Sequence, residues 1–303
     1  MSSVNVSFSQ NISIVHPQYF FIIGLSGIPH STYYYIFLFM IYFVTIFGNS
    51  VVLLVIALHQ SLHSPKYIGV FNLALADIGE TNALIPNMMR TFLFDSQYIS
   101  YNACLANMFF VFIFSSLQSV TLLVLAYDHF IAICLPLRYH AIVNNTSMVL
   151  VFPAIWAFNS SMVALMVSLI TQLSICESNI IQSYFCDHGP VYSGIKVIVG
   201  FVITSLYLNT PMVIIFLSYL GIFLALSRIT TWERRLKALK TFVSHLLLVG
   251  IYFFPICFTY LAQLLHALTP NARVISTSLA YVVPPMLNPI IYVLNTAEIK
   301  ILL

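Results

Sequence analysis

The sequence predicts an all-α membrane protein, a bundle of seven transmembrane helices with its N-terminus extracellular. Three observations carry that prediction. First, 60% of the 303 residues are hydrophobic and only 6% are charged. A soluble domain carries about 25% charged residues, so this chain cannot coat itself for water, whereas lipid lets apolar side chains face outward. Second, seven apolar segments approach the length of about 20 residues that a helix needs to cross the hydrocarbon core. Third, the basic residues between them fall eight to one side and three to the other.

The expected spans are 33–58, 67–90, 102–134, 147–169, 197–226, 238–265 and 274–294. Their apolar runs are long and unbroken, which excludes the alternation of a transmembrane β-barrel. Span two is the least apolar. It holds Asp77, Glu80, Asn82, Pro86 and Asn87, and polarity of that kind must face protein rather than lipid. The organisation expected is an extracellular segment at 1–32, the bundle at 33–294 and a short cytoplasmic tail at 295–303. The first residues lack a basic region followed by an apolar core and a cleavage site, so the first span is expected to serve as signal anchor.

With the N-terminus outside, Lys66, Arg138, Arg228, Arg234, Arg235, Lys237, Lys240 and Lys300 lie at cytosolic ends, and Arg90, Lys196 and Arg273 lie outside. That is the positive-inside bias. Asn5 and Asn11 begin glycosylation sequons in the outer segment. Asn145 begins a third, on the cytosolic side, where it stays unmodified. Arg234, Arg235, Lys237 and Lys240 suit anionic lipid headgroups or a cytosolic partner, and topology determination explains them equally well. No basic run suggests nucleic acid.

Asp77 is a carboxylate at mid-membrane depth, so it must pair, bind a cation or protonate. Glu80, three residues on, shares its helix face. Asn49 and Asn288 are candidate donors to the same polar core. Two readings stand: a bistable switch with room for a sodium ion at Asp77, or a structural cluster that fixes helix packing. No other cofactor is expected. A transporter is disfavoured, because Asp77, Glu80 and Asp128 trace no path across the bundle and no paired half-spans occur. An enzyme is disfavoured too, because no nucleophile–base or metal-ligand spacing is present. His59, His63, His140 and His245 show no metal-site spacing.

Several motifs resemble one family. Gly48-Asn49, Leu73-Ala74-Leu75-Ala76-Asp77 and Asn288-Pro289-Ile290-Ile291-Tyr292 are similar to the rhodopsin-like receptors. Leu62-His63-Ser64-Pro65-Lys66-Tyr67, Ala126-Tyr127-Asp128-His129 through Cys134, and Pro136-Leu137-Arg138-Tyr139 resemble the signatures of odorant receptors within them. So do Ser218-Tyr219, Lys237-Ala238 with Thr241, Ser244-His245-Leu246 and Pro284-Pro285-Met286-Leu287. Leu25-Ser26-Gly27-Ile28-Pro29 is similar to the fish-like, class I branch.

The resemblance implies a plasma-membrane receptor of olfactory sensory neurons that binds a small odorant and activates a stimulatory G protein to raise cAMP. It implies a disulfide between Cys104 and Cys186, leaving Cys176 without the loop cysteine that pairs with it elsewhere, since that position is Lys196. It places the switch core at Asn49, Asp77, Glu80, Gln118, Asn288 and Tyr292. Gln118 departs from the family's glutamate, and Glu80 is expected to replace that missing carboxylate. Coupling falls to Asp128, His129, Arg138, Tyr219, Lys237, Lys240 and His245. Histidine at 129 departs from the family's arginine, lacks its planar donor fork and is only partly charged at neutral pH.

The ligand site is expected among the outer halves of spans three, five, six and seven. Span three offers Asn107, Met108, Phe110, Val111, Phe112, Ser115 and Ser116. Span six offers Ile251, Tyr252, Pro255, Ile256, Thr259, Tyr260 and Gln263. None is charged, which suits a neutral alcohol, ketone, aldehyde or bile-type lipid better than a carboxylate. The alternative is a receptor-like chain that binds ligand but couples weakly. The topology has a direct check. An N-terminal epitope should be accessible on intact cells and a C-terminal one only after permeabilisation; access to both from one side refutes an odd number of crossings.

Overall fold

The computed structural model describes residues 17–25, 27–93, 97–171, 180–181, 183–186, 202, 205–227, 232–265, 267–295 and 299. All seven expected spans are helices long and apolar enough to cross a membrane. They are Ser31–Leu58, Pro65–Leu93, Tyr101–Cys134, Asn145–Thr171, Thr210–Ser227, Trp232–Leu264 and Pro270–Asn295. Span five is entered through a π-helical turn at Ser205–Asn209; its expected beginning near residue 197 lies outside the described residues. Span six starts earlier than the apolar pattern, because its first turns, with Trp232 and Glu233 exposed, continue the helix past the hydrocarbon limit.

Span three is the hub. It has 34 residues, about 51 Å at 1.5 Å per residue, and packs against spans two, four, five and six. Of its most apolar window 61% is buried, against 22% for span four, which touches only spans two and three closely. Phe47, Phe216, Phe223 and Phe254 point outward and are more than 60% exposed. In water such a surface would drive aggregation; in lipid it is the matching face.

Proline interrupts five spans, at Pro86, Pro153, Pro255, the triple Pro284, Pro285 and Pro289, and Pro211 near the start of span five. Each lacks an N–H and so releases the carbonyl four residues earlier; ring crowding weakens the next bond as well. In hydrocarbon no water can replace it. Neighbouring helices supply donors to two of these carbonyls and to one beside Pro86. Asn49 Nδ2 donates to Pro285 O at 2.9 Å, the carbonyl that Pro289 leaves free. Ser119 Oγ donates to Tyr207 O at 2.6 Å, the carbonyl that Pro211 leaves free. Asn107 Nδ2 donates to Ala83 O at 2.7 Å, three residues before Pro86. Gly48 allows the first of these approaches, since a Cβ there would stand 3.0 Å from the Pro289 ring.

At one end of the bundle the chain forms a small sheet that no hydropathy pattern announces. Strand β1 (Tyr19–Ile22) runs antiparallel to β2 (Tyr98–Ser100) and parallel to β3 (Ile180–Ile181), in the order β2-β1-β3. Phe20, Ile22 and Ile181 turn inward and pack with Met108 and the disulfide Cys104–Cys186, whose Cα atoms are 5.4 Å apart. Ser100 caps span three by accepting from Ala103 N. Among the described residues Cys134 and Cys257 are free thiols; Cys176, Lys196, Asn5 and Asn11 lie outside them.

Ser119→Ala should lower the stability of the purified receptor by about 1–3 kcal/mol, because it orphans the Tyr207 carbonyl in an apolar medium. Ser161→Ala, at an exposed serine that only back-bonds to Ala157 O, should leave it unchanged. Thermal unfolding in nanodiscs measures both; equal effects would refute the role of Ser119.

Candidate functional site

The polar core sits between spans one, two, three and seven. Asp77 and Glu80 are both fully buried, and neither forms an ion pair among the described residues. Asn288 Nδ2 donates to Asp77 Oδ2 at 2.9 Å, and Gln118 Nε2 donates to Glu80 Oε2 at 2.7 Å. Residue 118 therefore faces span two as an amide, and its carboxylate partner comes from span two itself. Asn49 is buried beside this core, yet its amide serves Thr45 O and Pro285 O instead of Asp77. Asp77 Oδ1, Glu80 Oε1, Gln118 Oε1 and the Tyr292 hydroxyl are buried and have no hydrogen-bond partner. Two buried carboxylates one helical turn apart, with no basic partner among the described residues, must protonate or take up a cation. Their unpaired atoms are oxygens, the donor type that a hard cation takes. No group of three or more His, Cys, Asp or Glu suits a metal ion among the described residues.

Above this core, toward the sheet end, lies a cavity of about 70 Å³. Its walls are Phe112, Ser115 and Ser116 of span three, Tyr252, Ile256 and Tyr260 of span six, and residues of spans four, five and seven. Phe112 is eight residues along span three from Cys104, about 12 Å below the disulfide. The remaining expected wall residues go elsewhere. Met108 packs under the disulfide, and Val111 joins a cluster with spans one, two and seven. Ile251 packs on the main core. Phe110 is half exposed toward lipid. Asn107 is committed to Ala83 O and Cys186 N. Thr259 is buried with an unpartnered hydroxyl but does not line the cavity. The Gln263 side chain lies outside the described residues.

Sequence reasoning missed Val163 and Met166 of span four, Tyr207 and Leu208 of span five, and Tyr281 of span seven. Pro211 was the available signal for Tyr207, since a proline frees the carbonyl four residues earlier, and Tyr207 lies in the π-helical turn that precedes it. A second, larger hollow of about 610 Å³ opens sideways between spans three, four and five and is lined by Leu123, Tyr127, Phe130, Met148 and Leu217. It faces the lipid side of the bundle.

The far end of the bundle is closed by rings. His129 of span three stacks on His245 of span six, with centroids 4.9 Å apart and planes at 21°. Tyr219 of span five shares a hydrogen bond of 2.7 Å with His245 Nδ1. His129 Nδ1 is 2.7 Å from Leu125 O, and since a carbonyl only accepts, this nitrogen carries a proton. The same nitrogen is 3.7 Å from Asp128 Oδ2, too far for a hydrogen bond. Asp128 instead accepts from the Tyr139 hydroxyl at 2.8 Å. Burial, then that bond to the carboxylate and its charge, raise the Tyr139 pKa. Arg138 is exposed beside it, and the Lys237 and Lys240 side chains lie outside the described residues.

This arrangement has close parallels. The sequence profile of the olfactory receptor family matches residues 38–303. Rat olfactory receptor 51E2 is 32% identical over 93% of this chain and 90% of its own length. Human olfactory receptor 52J3 is 32% identical over 97% of this chain and 96% of its own. Human olfactory receptor 1C1 is 32% identical over 96% and 94%. The crystal structure of squid rhodopsin shares the fold, with a TM-score of 0.76 and 16% identity over 92% of this chain and 86% of that one. With matches of this length and strength, the chain belongs to the olfactory receptor family, multi-pass membrane receptors rather than enzymes.

Proposed function

We propose that this receptor binds a small, neutral, largely apolar odorant in the cavity between spans three, four, five, six and seven and activates a stimulatory G protein to raise cAMP. The carrying observation is the cavity of about 70 Å³, with no charged residue among the described residues of its walls. A cavity of about 150 Å³ holds benzene, so alcohols, ketones and aldehydes of a few heavy atoms suit this one. A bile-type lipid would have to part the walls. A carboxylate would be buried without a cation.

In this reading the sheet end faces outside, Asn5 and Asn11 carry glycans, and the histidine end faces the cytosol of a sensory cilium. Ligand favours one helix arrangement to the extent of its differential affinity. Tyr252 couples the cavity to the core, since its hydroxyl donates to Ser115 O at 2.7 Å one turn from Gln118. Span six swings at its far end about Pro255, where the helix lacks a hydrogen bond. That motion separates His245 from His129 and Tyr219 and opens a groove lined by Asp128, Arg138, Lys237 and Lys240. Asp77 and Glu80 would hold a sodium ion in the resting arrangement, where it supplies the positive charge their unpaired oxygens lack.

Weak coupling is the second reading, and His129 favours it: its donor is committed to its own helix and it presents no guanidinium fork to a partner.

A screen of small alcohols, ketones, aldehydes and short-chain acids, in cells with the olfactory-type stimulatory G protein, tests the function. Neutral compounds should raise cAMP. Potent activation by the acids, lost in Phe112→Ala, would overturn the neutral-ligand reading. In the same cells His129→Arg should raise agonist-driven cAMP several-fold, since about 1 kcal/mol of coupling is roughly five-fold; equal responses count against the assignment of His129. For the core, replacing choline by sodium should raise the melting temperature of the parent but not of Asp77→Asn. The sodium effect should shrink in Glu80→Gln and return in Glu80→Gln/Gln118→Glu. A sodium effect untouched by Glu80→Gln would remove Glu80 from the site.

A further inference from the structure

We infer that the Tyr207 phenol donates a hydrogen bond to the ligand, so that the cavity selects compounds carrying an acceptor oxygen, such as a ketone or aldehyde carbonyl. The inference rests on the small-ligand reading of this cavity and adds the functional group it recognises.

The protons in the walls lead there. Ser116 Oγ donates to Ile113 O at 2.9 Å, along its own helix. Tyr252 Oη donates to Ser115 O at 2.7 Å. Its single proton is thereby used, so in the 3.2 Å pair between Ser115 Oγ and Tyr252 Oη the serine is the donor. All three hydroxyl protons end on protein oxygens. Tyr207 is different: its hydroxyl is buried and has no partner, the only such group among the lining residues described. A buried hydroxyl left unpaired in an apolar medium carries a desolvation penalty. An incoming acceptor relieves it, whereas a hydrocarbon of the same shape leaves it in place. This is the asymmetry by which a site built to hydrogen-bond rejects the analogue lacking the polar atom.

The backbone explains why the phenol is held there. Tyr207 lies in the π-helical turn Ser205–Asn209. Pro211 frees its carbonyl, and Ser119 of span three takes that carbonyl at 2.6 Å. The peptide is therefore pinned to span three while the ring enters the cavity beside Leu208. Anchoring and ligand contact are divided between the backbone and the side chain of one residue.

The test uses purified full-length receptor in nanodiscs, with 2-butanone and its isostere 2-methyl-1-butene as probes and thermal shift as the readout. In the parent the ketone should bind roughly 3–10-fold more tightly than the alkene, the range of one neutral hydrogen bond. In Tyr207→Phe that ratio should collapse to about one, chiefly by weaker ketone binding, and the melting temperature without ligand should equal or exceed the parent's. An unchanged ratio in Tyr207→Phe overturns the inference and leaves the small-ligand reading standing. A fall in the ligand-free melting temperature also overturns it, since the hydroxyl would then have a structural partner. If folded parent protein is shifted by neither probe, nor by 2-butanol, the small-ligand reading falls and this inference falls with it.

Discussion

A backbone in hydrocarbon has no water to turn to, and this bundle is organised around that constraint. Pro211 and Pro289 release the carbonyls of Tyr207 and Pro285, and each of these is taken by a side chain from another span, Ser119 and Asn49, while Asn107 takes Ala83 O beside Pro86. The donors come from spans three and one, the helices that neighbour the interrupted ones. Helix packing and backbone satisfaction are therefore one problem here, since a shift of a helix by one turn would orphan a carbonyl as well as open a void. Gly48 against Pro289 shows the steric side of the same requirement.

The polar core extends that logic to charge. Asp77 and Glu80 each bind one amide, and each keeps one oxygen unpaired. In the family pattern the second carboxylate stands on span three, where this chain has Gln118. Here the amide at 118 donates to the carboxylate at 80. A carboxylate on span two moves rigidly with Asp77, so separation of spans two and three would break the Gln118–Glu80 bond without separating the acids. A cation held by both acids would stay with span two throughout.

Cavity, core and far end are joined through span three and span six. Tyr252 touches Ser115 from the cavity side, and seven residues earlier on the same helix His245 closes the far end against Tyr219 and His129. The two contacts lie on one side of span six, about two turns apart, with Pro255 beyond Tyr252 toward the sheet end. Ring stacking and the Tyr219–His245 hydrogen bond close the histidine end, with His129 Nδ1 3.7 Å from Asp128 Oδ2. Span six would have to offset the loss of these contacts on opening.

Much was legible in the chain alone. The count of spans followed from lengths of apolar sequence, because hydrocarbon thickness imposes one length on every crossing. The inward face of span two followed from Asp77 and Glu80, which lipid does not tolerate. The Cys104–Cys186 bond was implied by resemblance and is present. What only the tertiary structure decided was the partner of each polar group. Asn49 and Pro285 are 236 residues apart in sequence, and Ser119 and Tyr207 are 88 apart. Local pattern shows that a group must be satisfied and is silent on which distant group satisfies it. Span four's share in the cavity and the inward turn of Tyr207 were hidden for the same reason: hydropathy measures how apolar a helix is, while its rotation is set by packing against neighbours the sequence does not order. The small sheet escaped as well, since two to four residues per strand carry no periodicity and pair only once the helices have brought them together.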